Sequence, residues 1–286
     1  MLIEYINHLE VTLIPTLKSS GWIFVGMPFF LILERIFPAQ TNQNIKGIFH
    51  NIGISLLLFT ANFLTSFFAG LIAANILSYF NAPIFNFDLA KIVEHQSGMA
   101  KVLIASIFVF APLFIFDFFY YWFHRSQHQI PILWLQHKFH HSDEDLNVTT
   151  VHRHHWLEEI YRTILIFIPM GLLIKLNPYT IFWVSFLLGY WSHFFHSNIR
   201  LHLGWIGLFF MGPQAHRVHH SILTKHRDKN FAAFFPIWDI IFGTYYHPNK
   251  NEFPPTGVQG EASRPRWDYL IFEPLFGIAR LIKKKL

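Results

Sequence analysis

Fifteen of the chain's 19 histidines lie between His124 and His226, and their spacing is patterned. His124-Arg-Ser-Gln-His128 has i,i+4 spacing, and His137-Lys-Phe-His140-His141 and His216-Arg-Val-His219-His220 have i,i+3,i+4 spacing. On a helix these separations stack imidazoles on one face, so a rigid element offers several nitrogens to one small volume. Two His-x-x-His-His strings arise by accident in such a chain on the order of a few times in a thousand. A lone histidine is ordinarily a hydrogen-bonded or surface residue; eight in this arrangement point to metal. They exceed the needs of one zinc ion and suit two ions, each with about four nitrogens and an open position. Imidazole accepts zinc, copper, iron or nickel, so ligand type alone leaves the metal open.

The chain has no cysteine, which removes disulfides, thiolate zinc sites, cysteine-held iron–sulfur clusters and thiolate haem together. Apolar residues make up 52% of the chain and charged residues 14%. Soluble domains carry about 25% charge, so there is too little polar surface here for a water-facing globule, and too much apolar residue for disorder. Twelve of the 22 Lys and Arg, six of each, fall from Arg200 onward and end in Lys283-Lys284-Lys285. Such a tail suits an anionic membrane face, and no nucleic-acid partner is expected.

The elements that must carry the histidines read as helices. Residues 20–37, 52–80 and 102–123 are long apolar runs expected to span a bilayer. Glu4 and Glu10 precede Lys18, so no cleavable leader is expected and the first run should remain as an anchor. Residues 164–174, interrupted by Pro169, and 179–195 read as a helical hairpin, and 269–286 as an amphipathic interfacial helix. One membrane domain over 1–286 is expected: spans in 1–123, a histidine-bearing catalytic region in 124–250 with the hairpin at 164–195, and a polar segment with the amphipathic helix in 251–286. The fold class is all-α, an integral membrane helical bundle with a histidine-rich helical cap holding a two-metal site. The weakly charged loop 81–101 against the basic histidine-bearing side puts that cap in the cytoplasm.

The clusters abut apolar spans, so the substrate expected is a lipid. A metal pair beside a lipid pocket points to O2 activation, because unactivated C–H bonds resist hydrolytic and acid–base chemistry. Asp117, Glu158, Asp228 and Asp239 are the candidate catalytic carboxylates, each placed to orient an imidazole unless it merely edges a span or caps a helix. Phe114, Phe118 and Tyr120 are candidates to line an acyl or ring-shaped pocket. A membrane zinc hydrolase would ordinarily show HExxH, which does not occur. A metal transporter would place histidines and carboxylates at mid-span, and a bis-histidine haem protein would pair ligands across spans.

In order and in distance from the apolar runs, the three boxes resemble the fatty acid hydroxylase/sterol desaturase superfamily of membrane di-iron oxygenases. The likeness runs over residues 117–244. Asp117-Phe-Phe-Tyr-Tyr-Trp-Phe-His124-Arg125 resembles the entrance to box one. Leu133-Trp134, His137 to Ser142 and Asp145-Leu-Asn147-Val-Thr-Thr150 resemble box two and its sequel. His216 to Ser221, Asp228, Asn230 and Trp238-Asp239-Ile-Ile-Phe242-Gly243-Thr244 resemble box three and its tail. Arg153-His154-His155-Trp156-Leu157-Glu158 is similar to the family's Arg-x-His-Pro-x-Glu stretch, with Trp156 where proline is usual. The resemblance implies His155, and His196 of His196-Ser197-Asn198, as further ligands beside His124, His128, His137, His140, His141, His216, His219 and His220. His152, His154 and His193 stand as additional ligands or as residues that orient them. Two iron ions are implied, with zinc able to replace them in a purified sample. The reaction implied is hydroxylation of a sterol, fatty acyl or ether lipid, with desaturation and ether cleavage as variants. No fused haem, iron–sulfur or GxGxxG module is visible, so an electron-donor protein (a reductase with a ferredoxin- or cytochrome-like carrier) is implied besides O2.

Overall fold

The computed structural model describes residues 26–86, 95–175, 178–265 and 267–285. Helix α1 covers 26–36, so the first apolar run is seen only in its second half, and the expectation about a leader lies outside the described residues. Helix α2 (Ile45–Tyr79) starts at Asn44, whose side chain accepts from the Lys46 N–H. It buries Ile54, Leu58, Ala69 and Ala73 while Leu56, Phe68 and Ile72 stand exposed. A helix apolar on both faces is wrong for water and right for lipid. Helix α3 (Gly98–Gln129) follows. Among the described residues, Ala61–Tyr79 and Gly98–Gln129 are long and apolar enough to cross a membrane.

Ile130 breaks α3, and Pro131 opens helix α4 (Pro131–His141), where its missing N–H costs nothing. This corner folds the second histidine box back toward the first. Helix α5 (Glu158–Arg162) runs through a π-helical turn (Thr163–Phe167) into α6 (Ile168–Leu173). The expected break at Pro169 does not occur: the wide turn before it takes up the hydrogen-bond register that proline disrupts. Helix α7 (Pro178–His196) returns. The short helices α8 (Pro213–His219) and α9 (Ile237–Ile241) and the long α10 (Trp267–Lys285) complete the chain. Beyond the expected all-helical pattern, strands β1 (Phe85–Asn86) and β2 (Ile174–Lys175) pair in parallel.

Helix α10 does more than lie at an interface. Its Leu270 is buried with Ile54, Leu58 and Phe139, and it passes so close to α4 that a Cβ on Gly277 would sit 2.6 Å from Leu135 Cδ2. The histidine-bearing segments are pinned to the first two helices by buried polar groups. Glu34 of α1 accepts from the backbone N–H of both Val148 and Asn198 at 2.7 Å. Arg153, 1% exposed, donates to Asn51 of α2 at 2.9 Å, to Ser142 Oγ at 2.7 Å, and to the carbonyls of Phe139 and Ser263. Its guanidinium lies 4.5 Å from the centre of the Phe139 ring. Arg153→Met keeps the bulk and strands these acceptors, so an expected cost of about 3–5 kcal/mol should appear as an earlier denaturation midpoint in detergent.

Candidate metal centre

Four helices deliver nine imidazoles to one place. His124 and His128 project from α3, His137, His140 and His141 from α4, His196 from the end of α7, and His216 and His219 from α8, with His220 directly after it. They fall into two groups. The candidate ligand atoms of His124, His128, His137, His141 and His219 lie within 4.8 Å of one another, as do those of His140, His196, His216 and His220. The His141 and His220 rings stack at 4.2 Å between the groups.

The hydrogen bonds settle which nitrogens face inward. His124 Nδ1 lies 2.7 Å from the Phe231 carbonyl, His219 Nδ1 2.8 Å from that of Lys229, and His196 Nδ1 2.8 Å from that of Ser192. A carbonyl only accepts, so each Nδ1 carries the proton and each Nε2 is a bare lone pair. Yet the Nε2 atoms of His124 and His219 are 3.0 Å apart. Two lone pairs at that distance repel each other and have no proton to share. Two nitrogens on one ion at ~2.0–2.1 Å stand roughly 2.9 Å apart at a right angle and 3.4 Å apart at a tetrahedral one. The spacing is that of ligands with a cation between them. The second group repeats it, with Nε2 separations of 3.1 Å (His140–His196), 3.0 Å (His196–His216) and 3.1 Å (His216–His220). Burial, reinforced by the neighbouring imidazoles, pushes His140, His141, His216 and His220 well below the ordinary histidine pKa, and burial takes His219 down to about 3. Neutral imidazole is the form that binds metal.

Around the groups, Glu158 is a buried carboxylate 3.0 Å from His154 Nδ1, 3.2 Å from Arg162 and 4.0 Å from His137 Nδ1. Burial works to raise its pKa, but His154, His137 and Arg162 outweigh it and hold the carboxyl well below its usual range. His154 stacks on His140 at 4.9 Å without joining a group. His152 and His193 form a separate pair, Nε2 to Nε2 at 3.2 Å. His155, expected as a ligand, is not brought to either group. Its Nε2 faces the Ile271 carbonyl at 3.3 Å and its Nδ1 accepts from the Leu157 N–H, so both nitrogens are used locally.

Asp117 and Asp239 touch no imidazole. Asp117 accepts from the backbone N–H groups of Ala233, Phe234 and Phe235, and Asp239 from those of Phe231 and Ala232 and from the Thr244 hydroxyl. Together they hold the strand of chain whose Phe231 carbonyl sets the His124 tautomer. Asp228, at φ +57°, is the half-exposed carboxylate 3.9 Å from His128 Nδ1. Phe114 and Phe118 pack on Trp238 of α9, whereas the Tyr120 ring lies 5.4 Å from that of His124. Sequence reasoning missed the carbonyls of Phe231, Lys229 and Ser192 and the role of Trp134, whose ring lies 5.3 Å from His128 and 5.6 Å from His141. Trp134 was visible as part of a motif; the carbonyls carry no side-chain signal.

The fold and site together define a membrane-associated helical protein built around two clusters of buried histidines. Residues 109–244, just under half of the chain, match the model of the fatty acid hydroxylase family. Among curated proteins, the chain is similar to alkylglycerol monooxygenase of Homo sapiens, 37% identical over 153 residues (50% of this chain, 34% of that protein). It is also similar to the ornithine lipid hydroxylase OlsE of Rhizobium tropici, 29% identical over 152 residues (53% and 46%). Alkylglycerol monooxygenase of Caenorhabditis elegans is 32% identical over 174 residues (58% and 32%). The matches thus span a third to a half of these relatives' length. No solved structure matches the chain.

Proposed function

We propose that this chain is a membrane-bound, O2-dependent lipid hydroxylase whose two histidine groups each hold one iron ion. The observation that carries the reading is the 3.0 Å approach of two bare lone pairs, His124 Nε2 and His219 Nε2, with the same Nε2 spacing between His196 and His216 in the second group. An iron pair would supply the redox chemistry that activates O2 toward an unactivated C–H bond. The protein's part is geometric. Rings on and directly after helices α3, α4, α7 and α8 converge on the two groups, and the backbone carbonyls behind His124, His196 and His219 keep protons off the Nε2 atoms of those three. Glu158 places a negative charge 4.0 Å from His137 Nδ1, on the side of that ring away from the group. Tyr120 and the Phe195 ring, 4.2 Å from His216, exclude water from the sides of the groups.

The printed activities of the relatives, an alkylglycerol monooxygenase and an ornithine lipid hydroxylase, support a polar-headed lipid as the substrate class. Desaturation and ether cleavage are the variants the same site would serve. Electrons come from a separate donor protein, and the basic charge of the histidine-bearing side supports a cytoplasmic position for it and for the cap. The purified protein should carry about two equivalents of transition metal, and cells expressing it should gain an oxygenated lipid absent without it, read by comparative lipid mass spectrometry. Metal-free protein together with an unchanged lipid profile would remove the reading.

A further inference from the structure

Apart from the histidine groups, the cap carries a set of large apolar side chains that its own core leaves outside. Trp205 is 72% exposed, Phe209 57% and Ile241 58%, with Ile206, Ile237 and Ile240 also exposed. They stand on well-formed backbone. Gly204 takes φ +54° to open the 3-10 turn Gly204–Leu208, and the Gly207 carbonyl accepts from the Tyr245 hydroxyl at 2.9 Å. Main-chain bonds Ile206 to Leu203 and Phe209 to Ile206 close the turn. Irregular chain can leave water only when its polar groups are satisfied internally in this way.

The depth of these residues follows from α3. The segment after the third box runs down that helix, with the Phe231 carbonyl at His124 and the N–H groups of Ala233, Phe234 and Phe235 on Asp117. Seven residues of helix separate those levels, roughly 10 Å toward the apolar middle of α3. Met211 N–H donates to the Phe234 carbonyl at 2.9 Å, and the Phe210 ring packs 5.9 Å from Trp191, so the preceding turn reaches the same level. On the α9 side, Trp238 packs at 4.5 Å on Phe114, a further turn down. At this level α3 itself leaves Phe110 and Phe114 exposed. The apolar surface of the turn and of α9 is therefore continuous with that of a helix long and apolar enough to span.

We propose that residues 205–209 and the outer face of α9 insert into the same leaflet as the upper half of α3, so that the cap is partly sunk in the bilayer. The occupant of this surface is lipid. Trp205 and Phe209 act as an aromatic anchor at the head-group level, the preferred depth of such side chains. A lipid beside α3 then meets the cap without crossing water.

The absence of cysteine makes the test direct. Single-cysteine variants Trp205→Cys, Phe209→Cys and Ile241→Cys are labelled with bimane, with Lys250→Cys in an exposed turn as the reference. Each is placed in phosphatidylcholine nanodiscs with and without 5-doxyl phosphatidylcholine, and titrated separately with iodide. At 205, 209 and 241 the lipid-borne nitroxide should quench about three-fold more than at 250, and iodide correspondingly less. Quenching by iodide as strong as at 250, with no response to the nitroxide lipid, would overturn the proposal. So would protection from both quenchers with a doubled particle mass, which would assign the surface to a second copy of the chain. Neither readout depends on bound metal.

Discussion

Alanine in place of His220 should cut bound metal from two equivalents to about one, whereas His128→Ala should retain more than that. The difference lies in the ligand count. The second group has four imidazoles, all buried, so losing one leaves three and opens the site. The first has five, and its His128 is the one not fully buried, backed by the distant, half-exposed Asp228 instead of a backbone carbonyl. Losing a residue that merely orients a ligand costs about 10–100-fold in affinity, so losing a ligand from a four-nitrogen site should cost more than about 100-fold. Lipid oxidation should fall by at least that factor in His220→Ala, because chemistry across a metal pair needs both ions. Elemental analysis of protein that still elutes as a single folded species in detergent reads the count. Two equivalents retained by His220→Ala would show that the second group is a hydrogen-bonded cluster and not a ligand set.

Much of this centre is legible in spacing. His137, His140 and His141 face one way because one turn of helix makes them do so, and box three repeats the pattern on α8. Composition likewise exposes the apolar helices, since α2 and α3 have few charges to misplace. What spacing does not carry is anything decided across long separations. His155 sits in a motif that resembles a ligand's, yet its ring turns to a carbonyl 116 residues away on α10. The polar stretch Asp143 to Arg153 carries no mark of burial in its own residues; partners far off in the chain, Asn51 and Glu34 among them, explain why most of it is buried. Pro169 reads as a break because a π-helical turn leaves no mark in the residue pattern.

Asp117→Ala should cost the protein one of its two metals without removing any ligand. Both Asp117 oxygens are fully used, Oδ1 by Ala233 and Phe234 at 2.8 and 3.1 Å and Oδ2 by Phe235 at 2.6 Å, in a side chain that is 0% exposed. Removing it strands three buried N–H groups, each worth about 1–3 kcal/mol, offset in part because a carboxylate is no longer buried. A net loss of about 3–5 kcal/mol is expected. Asparagine is no rescue, since it replaces one acceptor with a donor facing another donor. The chain freed is that whose Phe231 carbonyl fixes the His124 proton on Nδ1, so the first group loses its bare lone pair and its ion while the second keeps its own. Asp239, which holds Phe231 and Ala232 directly, should give the same selective loss on change to alanine. Hydrogen exchange across residues 231–235 should rise in both variants, together with a metal content near one equivalent. A variant that unfolds no earlier than the parent and keeps both ions would show that Asp117 edges the span and positions nothing.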